Sequence, residues 1–285
     1  MDLSKIKEFD LANDGKTTYY ENEIPNIFYR TLVNAKSWDL GLGFFSLSGF
    51  KQLAWPLAKF LLNGGKVRVY CNEKLSENDY NILSDKARAE NLKFSFLDDL
   101  NNLHNALLGD DNTLFSNCIS FLINEGALTM KVLIKKNDEY GISHQKNSIF
   151  RDDKENIVIL HGSSNISETA FTFNNEDITA ACSFWSEDKN GPTWKTIGEK
   201  VENFEKLYNQ GDDKWDILNI DSEVLKSKIE DIGFRKIDKA ELALSLQKNR
   251  PKVEPFSKNI RDEIDQELVN LNPGYVPAPS FPYDE

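Results

Sequence analysis

The stretch YGISHQKNSIFRDDKENIVILHGSSN, residues 140–165, decides the fold. Its first eleven residues read as a strand. Side chains alternate along a strand, so His144 and Lys146 project from one face. RDDKEN, residues 151–156, is a polar turn cluster. IVIL, residues 157–160, is a β-branched apolar run of the kind that pairs back as a buried strand. The expectation is a hairpin that ends at Gly162, where the chain needs a tight path. Ser163, Ser164 and Asn165 follow with small hydrogen-bonding groups that can cap a helix over SETAF.

Working outward, Asn174-Asn175-Glu176 comes a short step later. A histidine, a lysine two residues on and a Gly-Ser-x-Asn turn one hairpin away can converge on a single phosphate. His144 offers a nucleophile or general base and Lys146 a fixed cation. Ser163 and Asn165 offer neutral donors for the remaining oxygens. No metal is required. Taken singly the pieces have blander readings. A lone H-x-K pair occurs by chance on solvated strand faces, and Asn174 with Glu176 also reads as a turn before the strand DITAACSFW.

The pattern H-x-K, a spacer, G-S-x-N and a later N-x-E resembles the active-site motif of the phospholipase D superfamily, with the spacing of its nuclease branch. Residues 38–76, WDLGLGFFSLSGFKQLAWPLAKFLLNGGKVRVYCNEKLS, are similar to phospholipase D-like domains at the front of bacterial helicases and in metal-independent restriction endonucleases. The resemblance spans residues 20–210. It implies that His144 attacks phosphorus to give a phosphohistidine. Lys146 and Asn165 would hold phosphate oxygens, Ser163 would add a hydrogen bond, and Glu176 would orient a histidine. The family usually carries an aspartate five residues after the lysine. Arg151 stands there instead, with Asp152 and Asp153 just beyond, and a slipped turn would be needed to present Asp152.

That chemistry uses two histidines, one as nucleophile and one to protonate the leaving oxygen. His104 and His161 have no lysine two residues on, so a homodimer bringing two copies of His144 together is the economical arrangement. Substrate contacts beyond the motif are expected from Ser164, Lys131 and Arg151. Lys135 and Lys136 read individually as a solvated strand end.

Composition bounds the rest. The 285 residues, 40% hydrophobic and 11% aromatic, can bury one sizeable core. The net charge of -12 excludes a protein that wraps nucleic acid by bulk electrostatics, so contact with DNA, single- or double-stranded, must be local. With no long apolar run and a polar amino terminus, the expectation is a cytoplasmic protein without a membrane partner. Cys71, Cys118 and Cys182 lack metal-site spacing and read as reduced core residues. Neither a cofactor nor a metal is expected.

Strand and helix patterns alternate, which predicts an α/β fold: a mixed sheet with helices on both faces. Gly64-Gly65 reads as the left-handed end of a helix. The nuclease-like domain is expected over residues 1–210. Residues 211–285 are expected to hold a short amphipathic helix and a proline-rich linker or tail. In helicase-associated relatives a motor would follow such a stretch. No Walker A loop is present, so a helicase or ATPase would be a further domain or a separate subunit. The expected activity is a metal-independent DNA nuclease of a bacterial restriction or anti-phage system. The alternatives are a non-catalytic dimerisation or nucleic-acid-sensing module and a lipid phosphodiesterase.

Overall fold

The computed structural model describes residues 1–12, 15–20, 23–43, 48–72, 113–136, 146–163, 176–219, 226–227 and 230–249. Its strands are β1 (Thr18–Tyr20), β2 (Ser37–Leu42), β3 (Lys66–Asn72), β4 (Leu128–Lys135), β5 (Lys146–Arg151), β6 (Ile157–Gly162), β7 (Asp177–Cys182) and β8 (Trp215–Asn219). They form one eight-stranded sheet in the order β1-β7-β6-β5-β2-β3-β4-β8. β2, β3 and β4 run parallel, while β5 lies antiparallel against β2 and begins a β5-β6-β7 meander. The fold is the mixed α/β sheet expected from the alternating pattern.

The helices are α1 (Glu23–Asn34), α2 (Ser48–Gln52), α3 (Ala54–Leu62), α4 (Thr113–Asn124), α5 (Pro192–Gln210) and α6 (Lys239–Lys248). One face of the sheet presents Trp38, Leu40, Val69, Val132, Phe150, Val158 and Leu160 to a core shared with α1, α3, α4 and α6. Trp38 stacks on Phe150 with ring centroids 5.3 Å apart. The other face presents Tyr70, Leu133, Ile149, Ile159 and Ala181 to α5. Ile197, Phe204, Leu207 and Tyr208 recur at helical spacing and form the stripe that α5 buries there. Fully burying a side chain such as Phe204 stabilises by roughly 2–3 kcal/mol. α5 starts with Pro192 at its first turn, where a missing N–H costs nothing. α3 ends as its glycine pair predicts: Gly64 has φ 79°, and its N–H donates to the Leu61 carbonyl at 2.8 Å. The three cysteines are free and buried, and burial pushes the Cys118 thiol up.

Three elements differ from the sequence reading. Residues 215–219, read as part of an amphipathic helix, form the edge strand β8 against β4. Phe234, Ile237, Leu242 and Leu246 are buried in the main core. The same core therefore continues past residue 210, where the folded domain was expected to end. α6 opens with a capping box: the Asp238 carboxylate accepts from the Glu241 N–H at 2.8 Å, and Glu241 answers on the Asp238 N–H. Its short apolar stripe and the partly exposed residues of β8 are weak periodic signals. β1 has three residues and no resolvable pattern of its own. Residues 76–91, which carry helical periodicity, and the strand-like run 92–97 lie outside the described residues.

No described helix is long and apolar enough to cross a membrane.

Candidate active site at the rim of the sheet

β2, β3, β4 and β6 end on one rim of the sheet, and β5 and β7 begin there. Ligands of open α/β sheets gather outside such carboxyl ends. Lys146 is the first residue of β5. It precedes Asn147, which pairs with His161 on β6. Gly162 follows His161 and pairs with Ile178 on β7, two residues after Glu176. Lys146, the Gly162-Ser163 turn and Glu176 therefore lie within two residues of one line across three adjacent strands. With strands about 4.8 Å apart, that line spans about 10 Å, the reach of a bound phosphodiester and its neighbours.

The alternation of side chains divides these groups between the faces of the sheet. Lys146 shares a face with Ser148 and Phe150, toward α1. Glu176, 9% exposed, is two residues before Ile178, on the same side. Ser163 turns instead to β7. Its N–H donates to the Asp177 carbonyl at 3.1 Å, and its Oγ accepts from the Asp177 N–H at 3.1 Å. Its hydroxyl is 3.3 Å from Asp177 Oδ1. The preceding glycine is demanded by close approach: a Cβ on Gly162 would stand 2.2 Å from the Asp177 carbonyl oxygen. His144, Ser164 and Asn165 lie outside the described residues.

Lys131 and Arg151, read as substrate contacts, are engaged elsewhere. Lys131 faces α5 from β4, three strands from Lys146. Its ammonium donates to the Tyr208 carbonyl at 2.7 Å and sits 4.2 Å from the Tyr208 ring centroid. Tyr208 is in the last turn of α5, where carbonyls have no helical donor, so Lys131 closes that end of the helix. Burial, aided by the nearby Arg68 guanidinium, pulls the Lys131 ammonium down from its ordinary range. Arg151 is at the far end of β5 from Lys146, about 16 Å along the strand, and its Nη1 donates to Asp39 Oδ2.

Asp39 is 1% exposed and also accepts from Arg68, Nε to Oδ1 and Nη2 to Oδ2, each at 2.7 Å. Arg68 reaches on to Glu205 of α5, with Nη2 at 2.6 Å from Oε1. The hydrogen bond to Asp39, helped by the one to Glu205, raises the Arg68 pKa, and the bond from Arg68 holds Glu205 below the usual carboxylate range. Asp152, the carboxylate a slipped turn was to present, is buried at the same far end. It accepts from the N–H groups of Leu3 (2.7 Å), Lys154 (2.8 Å) and Asn156 (2.9 Å), and from Asn156 Nδ2 at 2.8 Å. It ties the hairpin turn to the amino terminus and does not reach the Lys146 rim.

Sequence reasoning missed Asp39, Asn72 and Asp177. Asn72 ends β3 on the same rim and donates to the Gly43 carbonyl at 2.8 Å. A lone acid inside the apolar run WDLGLGFF was the available signal for Asp39, because a buried carboxylate needs a partner. Among the described residues no group of His, Cys, Asp and Glu is arranged to hold a metal ion.

No family model and no curated protein matches the sequence. Among solved structures, the chain is similar to NucT from Helicobacter pylori, at 16% identity and a TM-score of 0.39, over 67% of this chain and 93% of that one. It is similar to the phospholipase D family member Nuc from Salmonella typhimurium, at 16% identity and a TM-score of 0.39, over 68% of this chain and 94% of that one. A phosphatidylserine synthase of Haemophilus influenzae is similar at 13% identity and a TM-score of 0.40, over 74% of this chain and 43% of that one.

Proposed function

We propose that this protein is a phospholipase D-like phosphodiesterase that needs no metal, most simply a DNA nuclease of a bacterial restriction or anti-phage system. The observation that carries the reading is the meeting of Lys146, the Gly162-Ser163 turn and Glu176 on one rim of three adjacent strands. The sequence motif and the spacing of its parts support it independently.

In this reading an imidazole nitrogen of His144 attacks phosphorus, and the P–O bond to the leaving oxygen breaks. A second His144, from a homodimeric partner, protonates that oxygen. Water then attacks the phosphohistidine, gives up its proton to the same partner histidine and frees His144. Lys146 pairs its charge with the non-bridging oxygens, Asn165 donates to them, and Ser164 is a further substrate contact. A helicase or ATPase partner would supply the DNA affinity that a chain of net charge -12 lacks.

Trapping tests the chemistry. Labelled DNA quenched at alkaline pH during turnover is expected to leave an acid-labile adduct that maps to His144, and sedimentation is expected to give a dimer. A monomer with no adduct during active turnover contradicts the reading. Binding without turnover, unchanged in His144→Ala, would favour the non-catalytic sensing module, which Arg151 in the motif's aspartate position supports.

A further inference from the structure

Ser163 and Asp177 close a clasp between the end of β6 and the start of β7. Two backbone N–H groups take part: that of Ser163 donates to the Asp177 carbonyl at 3.1 Å, and that of Asp177 donates to Ser163 Oγ at 3.1 Å. The serine hydroxyl has one proton to give. Among the described residues its acceptors within reach are Asp177 Oδ1 at 3.3 Å and the Asp177 main-chain oxygen at 3.4 Å. The ionised carboxylate is the stronger of these. Ser163 thus spends its proton and one lone pair on a single residue of the neighbouring strand. The approach is close enough that a Cβ at position 162 would collide with the same carbonyl, at 2.2 Å.

We infer, resting on the phosphodiesterase reading above, that Asp177 is a positioning residue of the site and that Ser163 acts through it, not on a phosphate oxygen. The clasp pins the residue that leads into Ser164 and Asn165 against the residue that follows Glu176. It thereby couples the two halves of the motif that arrive on β6 and β7. The carboxylate is there to hold the serine, so an amide oxygen at the same place serves almost as well.

A mutant cycle in kcat and KM, run on labelled single-stranded DNA at a temperature where melting curves show every variant folded, tests this. Ser163→Ala and Asp177→Ala are each expected to lower kcat about fivefold with KM little changed, as for loss of one ordinary hydrogen bond at a solvent-exposed site. The double variant is expected to fall no further than the poorer single one, because the two residues act as one unit. Asp177→Asn is expected to recover most of the loss. Losses that multiply to about 25-fold in the double variant, a rise in KM for Ser163→Ala alone, or an Asp177→Asn as poor as Asp177→Ala would each overturn the inference while leaving the phosphodiesterase reading in place. A wild type that cleaves nothing, or cleaves equally after His144→Ala, removes the reading and the inference together.

Discussion

Arg68 grips Asp39 through two parallel hydrogen bonds of 2.7 Å, Nε to Oδ1 and Nη2 to Oδ2, at the centre of the sheet. Arg151 approaches the same carboxylate from β5, and Glu205 approaches Arg68 from α5. One buried acid therefore joins β2, β3 and β5, and through Arg68 it joins them to the helix that covers their far face. The arginine in the motif's aspartate position is half of an ion pair whose acid comes from the neighbouring strand.

Removing that acid should be costly. Asp39→Ala removes the buried acid from between two partly exposed guanidinium groups, of which Arg68 keeps Glu205, and is expected to destabilise the fold by about 2 kcal/mol. Arg151→Asp, which restores the motif's usual residue, is expected to lower both stability and cleavage, because it sets a second carboxylate against Asp39. Urea unfolding of both variants checks this, and a gain of activity in Arg151→Asp would contradict it.

The Gly162 position tolerates no side chain. Gly162→Ala is expected to destabilise by about 2 kcal/mol, through the forced separation of β6 from β7, and to reduce cleavage by more than the stability loss explains. Cleavage rates measured well below the melting temperature separate the two effects.

His161 sets an acid dependence of stability. Burial, and secondarily Lys200, lowers its pKa from the ordinary 6.5, while Asp177 pulls weakly the other way. As the pH falls below 6.5 the unfolded chain takes up this proton before the folded one does. The favourable contribution of a neutral His161 is therefore complete above that value and is lost as the pH drops through the folded-state pKa. Urea midpoints compared at about pH 7.5 and about pH 5.5 are expected to fall with acid, and the fall should be smaller in His161→Gln. Equal falls in the two proteins would show that other groups carry the dependence.

Lys131 belongs to the end of α5. Lys131→Met keeps much of the stem's packing but loses the bond to the Tyr208 carbonyl, and is expected to cost about 1 kcal/mol of stability. Cleavage should stay within about twofold of wild type, because the lysine is three strands from Lys146 and on the opposite face. A tenfold rise in KM would return Lys131 to the substrate.

Much of this was legible because strong local patterns survive tertiary packing. The β5-β6 hairpin follows from two apolar strands around a polar turn. Gly64 shows as a helix stop, and α5 shows as a long periodic stripe. The candidate rim was legible in part: Lys146, Gly162 and Glu176 were singled out from the sequence, and the strand pairing brings these positions to one rim. What was hidden depends on register. Whether Arg151 faces a phosphate or Asp39 is decided by β2 pairing with β5, and nothing near residue 151 encodes that. The engagement of Ser163 with Asp177 likewise needs the β6-β7 register, which brings together residues 14 apart in sequence. β8 and α6 were hidden because each is short and its apolar residues do not all face the core: Leu244 of α6 is exposed between the buried Leu242 and Leu246, and no residue of β8 is fully buried.

Cleavage of labelled single- and double-stranded DNA in excess EDTA, wild type against His144→Ala, tests the central claim most directly. The account predicts cleavage that survives chelation and disappears in the variant. Cleavage that stops with EDTA, or that persists in His144→Ala, would contradict it.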